Sequence, residues 1–430
     1  MASTRSPRLR RGWPGRCGSA FPVESGPLTP RYDVVIAGAG PAGAATACRL
    51  ARAGLRVIAV DRAEFPRDKV CSEYMSPEGV RHLAELGALA EVERIGGQPI
   101  RGTTVYAPHG SQLTGLFARA GHAPFRATGL SVARRILDQA LIDAARRAGA
   151  EVVERTLVQG VLQERGAIAG LRVRDRQGVD RELRGRLTVG ADGLHSLLAR
   201  ALGSRRTGLL RRYALVAHVA DVTGLGDTAE MHVGARGYVG LNPLGSGVAN
   251  VALVLPQERL RGSRGKAQDF FFQELEGFPA VAGRVRPGSL VREVLVTGPF
   301  AAWSTSVIAD GALLVGDAAD FFDPFTGEGI CAALRGAELV EAAVLGPLAR
   351  PGAVTATALR PYLRARRRAF LGKWAVERLI GYAMLAPALF DHAVARLERH
   401  GLAHTLIGVT GDFVPPRAVL NPVFLSRAMF

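Results

Sequence analysis

Apolar runs and polar breaks along this chain alternate between two periods, and the first switch between them is the sharpest. Val34 to Ala37 are apolar and run into Gly38-x-Gly40-x-x-Gly43; a helical pattern then continues through Leu50 to Gly54, and a second apolar run ends at Asp61. This order predicts a strand, a glycine turn, a helix and a second strand. A loop follows, and a helix is expected from about Pro77, with Ser76 as N-cap and Pro77 at the first helical position. Residues 101–125 alternate and predict a hairpin. Residues 131–150 return to helix, with Ile136, Ala140, Leu141 and Ala144 on one face. A strand over 151–161 and a further hairpin come next, followed by a strand, an Ala-Asp-Gly turn and a helix over 187–203. Residues 211–256 and 289–297 read as strands, and 311–317 as an apolar strand leading into a helix. Residues 357–400 are mainly helical, Pro415-Pro416 opens an irregular tail, and residues 1–30 show no periodicity.

Composition narrows the picture. A chain of 430 residues with 48% hydrophobic and 22% charged positions can fold as two or three domains with a substantial core. Cys17, Cys48, Cys71 and Cys331 lie far apart, in neither a zinc spacing nor a disulfide framework, so no metal is expected and a reducing, cytoplasmic setting fits. No apolar run reaches the ~18 residues of a membrane span. The net charge of +17 raises nucleic acid as a partner, but its distribution speaks against one. Residues 1–31 carry +5 and residues 360–378 carry +6. Two local clusters do not make a nucleic-acid groove; the arginine richness reads as a compositional bias as much as a binding adaptation, with peripheral contact to anionic lipid or an acidic partner as the alternative. Arg10-Arg11 lacks the apolar segment of a twin-arginine signal.

The glycine turn brings in the chemistry. Gly38 permits a tight turn, Gly40 lets backbone approach a pyrophosphate, and Gly43 lets helix pack on strand. The helix N-terminus offers free N–H groups to phosphates, and Asp61 can accept from ribose hydroxyls. Further on come Gly190-Ala191-Asp192-Gly193, then Gly316-Asp317 with Pro324 and Gly327-Glu328-Gly329. This ordered set resembles the flavoprotein superfamily with the para-hydroxybenzoate hydroxylase fold. Residues 65–79 and 316–330 look most like its geranylgeranyl reductase branch. The resemblance implies FAD, bound through Gly38, Gly40, Pro41, Ala42, Gly43, Asp61, Arg62, Arg67, Arg134, Asp192, Asp317, Gly327, Glu328, Gly329 and Ile330. In that picture Arg67 neutralises phosphate charge, Arg134 stands close to the FAD, and Asp317 bonds the ribityl chain. The helix opened by residues 326–329 turns its positive end to the flavin and favours the anionic reduced form. Cys71 matches a cysteine near flavin and substrate and takes the catalytic role, although Cys71-Ser72-Glu73 departs from the usual Cys-Gly pattern. His195 is expected to begin a helix and not to act as a base.

The fold class expected is α/β: a Rossmann-like FAD-binding domain of the glutathione reductase type (31–100, 126–205 and 298–345), an inserted mixed or antiparallel sheet for substrate (101–125 and 206–297), a C-terminal helical region (346–430) and a disordered basic tail (1–30). Phe321, Phe322, Pro324 and Phe325, with Leu379, Ile380, Tyr382, Met384 and Leu385, suggest an apolar pocket or an apolar membrane-facing surface. The resemblance therefore implies an FAD-dependent oxidoreductase acting on a hydrophobic prenyl, lipid or polyketide-like substrate, with NADPH or NADH, or an electron-donor protein, as reductant. A monooxygenase acting on a phenolic or quinone-like substrate, and an electron-transfer flavoprotein with no organic substrate, are the alternatives. The Trp-x-Trp-x-Ile-Pro motif of the halogenase branch is missing.

Overall fold

A computed structural model describes residues 32–260 and 266–429. The expectations for residues 1–30 lie outside the described residues. β1 (Tyr32–Ala37), α1 (Pro41–Arg52) and β2 (Val57–Val60) form the unit predicted from the glycine turn. α2 (Arg134–Arg147) packs on α1, and the long β3 (Asp180–Gly190) lies parallel to β1 on the side away from β2. β4 (Ala312–Leu314) extends the sheet beyond β3, and α3 (Gly329–Leu348) returns against α1. Strands this apolar, parallel and covered by helices are buried on both faces, and Val34, Val35, Ile36 and Ala37 are all fully buried.

A second, seven-stranded sheet runs in the order Leu290–Thr297, Arg212–Ala220, Val248–Pro256, Gly237–Gly245, Ala229–Gly234, Gly102–Tyr106, Gln112–Leu116. Segments far apart in sequence thus share one sheet, through a parallel contact between Ala229–Gly234 and Gly102–Tyr106. Alternation assigns its faces: Leu215, Ala217 and Val219 pack against the helix Ala267–Leu275, while Ala214 and Val216 point into a core shared with C-terminal helices. Those helices are α4 (Arg360–Ala383), Pro387–Arg399, Ala403–Thr410 and Pro422–Met429.

Several local expectations need correction. The strand foreseen over 151–161 is two strands, Glu151–Val153 beside β2 and Leu157–Glu164 in a separate ladder; Arg155 turns between them with φ of 53°. The tail after Pro415 ends in a helix. Ser76 occupies the N-cap of Pro77–Glu85, yet its hydroxyl donates to Glu328 Oε2 at 3.1 Å and caps nothing. His195 lies outside the following helix, which starts at Leu197 and is capped by Ser196.

One hydrogen bond ties α4 to the nucleotide sheet: the fully buried Tyr362 donates to the Leu314 carbonyl at 2.8 Å. Tyr362→Phe is expected to lower stability by about 1 kcal/mol, measured by urea unfolding.

Candidate functional site

The three motifs, distant in sequence, meet at the end of β1. Gly38 has φ of 94°, and a Cβ there would lie 2.5 Å from the Ala191 carbonyl oxygen of the second motif. A Cβ on Gly43 would lie 1.9 Å from the Gly38 carbonyl, so only glycine lets α1 start this close to the strand. A Cβ on Gly316, in the third motif, would stand 2.9 Å from the Ala42 Cβ. Pro41 fills the first helical position, and the first turn of α1 holds no acid. Asp61 accepts from the Ala39 and Ala63 N–H groups, both at 2.9 Å, which fixes its carboxylate beside the glycine turn. Arg62 is exposed.

Gly40 faces a cationic wall. A Cβ there would be 3.6 Å from Arg67 Nη2 and 4.0 Å from Arg134 Nη2, ordinary contact with the ends of two flexible side chains and with no backbone atom. Arg134 grips Asp138 through Nε and Nη2, both at 2.8 Å, and Arg67 Nη1 lies 3.1 Å from the same carboxylate. Two guanidiniums therefore share one carboxylate next to the N-terminus of α1. Burial, opposed by Asp138 and reinforced by Arg134, holds Arg67 below the usual arginine range. Lys69 joins them: its Nζ is 3.5 Å from the place of a Gly193 Cβ, and the surrounding protein, then Arg134 and Arg67, lower its affinity for a proton. Such an excess of positive charge fits a pyrophosphate.

The loop carrying Cys71 is held from the second sheet. Glu73, fully buried with φ of 59°, accepts from the Arg134 backbone N–H at 2.8 Å and from Asn250 Nδ2 at 2.8 Å, and its Oε2 lies 2.6 Å from His218 Nε2. Asn250 also donates to the Cys71 carbonyl at 3.0 Å, and Asn242 to the Ser72 carbonyl at 2.8 Å. Burial raises the Cys71 thiol against the pull of Arg134, so it is protonated at neutral pH. Sequence reasoning missed Lys69, Glu73, Asp138, His218 and Asn250. Asp138, four residues after Arg134, was the one with a visible signal.

The second and third motifs take on structural work as well. Asp192 Oδ2 accepts from the Leu197 N–H at 2.6 Å and the Leu198 N–H at 3.3 Å, while its Oδ1 is buried with no protein partner. Burial raises the Asp317 carboxyl, opposed by Lys69, Arg134 and Arg205, and Arg205 donates to the Asp317 and Ala318 carbonyls. Asp323 accepts from Arg212 at 2.8 Å and from the Tyr238 hydroxyl at 2.6 Å, pinning the third motif to the second sheet. Gly327 then turns with φ of 71°, Glu328 is the N-cap of α3, and Ile330 is buried in its first turn. Arg212 and Tyr238 also line a cavity of about 280 Å³, together with Val233, Pro256 and Met384 and the charged Arg211, Arg236 and Glu258.

Residues 31–343 match the family model described as FAD binding domain. A digeranylgeranylglycerophospholipid reductase of Methanopyrus kandleri is 32% identical over 332 residues, covering 72% of this chain and 77% of the relative. The chain belongs to the FAD-dependent geranylgeranyl reductase family. A geranylgeranyl bacteriochlorophyll reductase-like protein from Thermoplasma acidophilum superposes with a TM-score of 0.69 at 22% identity, covering 90% of this chain and 95% of that one. The myxobacterial chondrochloren halogenase, an FAD-dependent enzyme, superposes at 0.76 with 25% identity, covering 93% and 94%. The fold is thus shared across reductase and halogenase branches.

As a member of this family the chain is an FAD-dependent oxidoreductase, and the lack of a side chain at Gly40, the two guanidiniums facing it and the unpartnered Asp192 Oδ1 fit the cofactor. Gly40→Val is expected to leave circular dichroism unchanged, because its Cβ meets only the movable ends of the Arg67 and Arg134 side chains at ordinary contact distance, while flavin absorbance in the purified protein falls to background.

Behind the α3 N-terminus, Glu328 is buried between Ser76 and Lys373, whose Nζ is 4.0 Å from Oε2. Burial pushes its carboxyl up to about 7 despite Lys373. Below the ordinary value of 4.5 the carboxyl is protonated in folded and unfolded chains alike; from there to about 7 only the folded state keeps the proton, so stability falls as pH rises through that window. Glu328→Gln is expected to abolish up to about 3 kcal/mol of that fall, seen as thermal unfolding curves that differ less between acid and neutral pH than those of the unmodified protein.

Proposed function

We propose that this oxidoreductase saturates carbon–carbon double bonds in a prenyl chain carried by a lipid. The observation that carries this reading is the cavity lined in part by Arg212 and Tyr238, because the same two side chains hold Asp323 ahead of α3. A hydrophobic chain in that cavity is directed towards the third motif. The name of the Methanopyrus relative, a digeranylgeranylglycerophospholipid reductase, points to the same substrate class.

Arg67, Arg134 and the α1 N-terminus would hold the pyrophosphate, Asp61 the ribose, and Asp317 the ribityl chain. Once reduced by NADPH, NADH or an electron-donor protein, bound FAD would supply the hydride. Glu73, His218 and Asn250 anchor the Cys71 loop to the second sheet. Cys71, protonated at neutral pH, donates the proton that completes the saturated bond. NADPH or NADH is the reductant, with an electron-donor protein as the other source. The basic helix α4 makes peripheral contact with the membrane that holds the substrate.

Anaerobic titration of the purified protein with NADPH, NADH and dithionite, followed by mass spectrometry of an added geranylgeranyl lipid, tests the reading. Flavin bleaching followed by the uptake of hydrogen pairs by the lipid is expected. Oxygen uptake stimulated by a phenol, with the lipid unchanged, would overturn it in favour of the monooxygenase. Cys71→Ala is expected to lower turnover about 100-fold at unchanged flavin content, with partial recovery in Cys71→Ser.

A further inference from the structure

α4 is a 24-residue helix whose inner face is fully committed. Tyr362 bonds β4, Arg366 pairs with Asp320 and stacks near Phe370 and Trp374, Lys373 approaches Glu328, and Val376 enters the core of the second sheet. Its opposite face has a different composition. Arg360, Arg364, Arg367, Arg368, Leu371, Ala375, Leu379 and Tyr382 recur at three- and four-residue spacing, which places them on one side of the helix, and all are exposed. Leu371, Leu379 and Tyr382 are each more than half exposed, as is Leu385 just beyond the helix end.

Single exposed apolar residues are ordinary on a protein surface, whereas a continuous apolar strip is a contact surface. Two features identify its partner. Charge is segregated along the axis: the four exposed arginines occupy the first part of this face and the exposed apolar residues the rest, where the one cation, Arg378, is half-buried with its guanidinium over the Phe322 ring. The only acid between residues 360 and 383 is Glu377, which is off this face, and among the described residues no carboxylate pairs with Arg364, Arg367 or Arg368. The apolar end also meets the mouth of the 280 Å³ cavity, lined there by Leu385 and by Leu209, which is 97% exposed. A helix with arginines for phosphates and leucines for acyl chains matches the boundary region of an anionic bilayer.

We propose that the outer face of α4 is a bilayer-docking surface: Arg360, Arg364, Arg367 and Arg368 lie against anionic headgroups, Leu371, Leu379, Tyr382 and Leu385 enter the acyl boundary, and the cavity mouth rests on the membrane. A lipid tail then passes from bilayer to cavity without crossing water. This inference rests on the lipid-substrate reading for its purpose, but it is tested separately.

The experiment is co-sedimentation of the full-length flavoprotein with vesicles of phosphatidylcholine alone or mixed with phosphatidylglycerol, at low and high salt. Binding to the mixed vesicles that weakens with salt is expected. Arg364→Glu/Arg367→Glu/Arg368→Glu should weaken it about tenfold or more, and Leu371→Glu/Leu379→Glu should weaken it at every salt concentration. Flavin content and dithionite reduction should be unchanged in both, since none of these residues lines the candidate cofactor site. Full-length protein that stays in the supernatant, or variants that bind as well as the parent, would overturn the proposal; the latter would place any lipid contact elsewhere in the chain. Light scattering that shows a dimer dissociated by Leu371→Glu/Leu379→Glu, with vesicle binding unaffected, would assign the face to a second copy of the chain. Reduction of a detergent-dispersed lipid without vesicle binding would sink the docking surface and leave the function standing; vesicle binding with no lipid reduction would do the reverse.

Discussion

The structure depends on a backbone approach that leaves no room for a side chain. Around the end of β1, virtual Cβ atoms on Gly43, Gly38 and Gly316 would stand 1.9, 2.5 and 2.9 Å from atoms of neighbouring segments. The three segments belong to three motifs spread over nearly 300 residues, and contact this close fixes their mutual position without any side-chain bond. It also aims the N-terminus of α1 at one point, where Arg67 and Arg134 already concentrate positive charge around the single Asp138. Backbone dipole and guanidinium charge act on the same small volume, which is why a pyrophosphate suits it.

The second sheet is joined to this centre by buried polar contacts. Glu73 is bound simultaneously by a helix N–H, an asparagine and a histidine from three different elements, and Asp323 by an arginine, a tyrosine and the Phe325 N–H. Burying such carboxylates is unfavourable unless every lone pair is used, and then their directionality selects one arrangement. The consequence for function is that the Cys71 loop and the segment before α3 are each positioned by strands of the other sheet. The candidate cofactor region and the 280 Å³ cavity are thereby tied together by the same buried contacts.

The C-terminal helices complete the molecule by covering the open face of that sheet. α4 divides its labour sharply, with an inner face of bonded polar groups and core residues and an outer face of arginines and leucines. The helix Pro422–Met429, where an irregular tail was expected, buries Phe424 and Ala428 in the same core. Its pattern is short and follows two prolines, so local signals favoured a loop, and contact with the helix Pro387–Arg399 supplied what the sequence pattern lacked.

The sequence by itself determined the glycine turn, the order of the three motifs and the FAD-dependent family, because each of these rests on local backbone geometry that only particular residues allow. Alternation likewise marked the strands of the second sheet, since a pleated strand with two different faces must show period two. Partners separated by long stretches of chain were illegible: nothing near Glu73 announces His218 or Asn250, and nothing near Asp323 announces Arg212 or Tyr238. Nothing in the sequence singles out Lys69, which folding places near Arg67 and Arg134. Asp192 looked like a cofactor ligand or a turn, and the structure gives it a helix N-terminus to hold as well. Tertiary structure alone decided which apolar residues at the end of α4 are buried and which are exposed: Met384 and Leu385 are adjacent in sequence and both line the cavity, yet only packing separates the buried one from the exposed one.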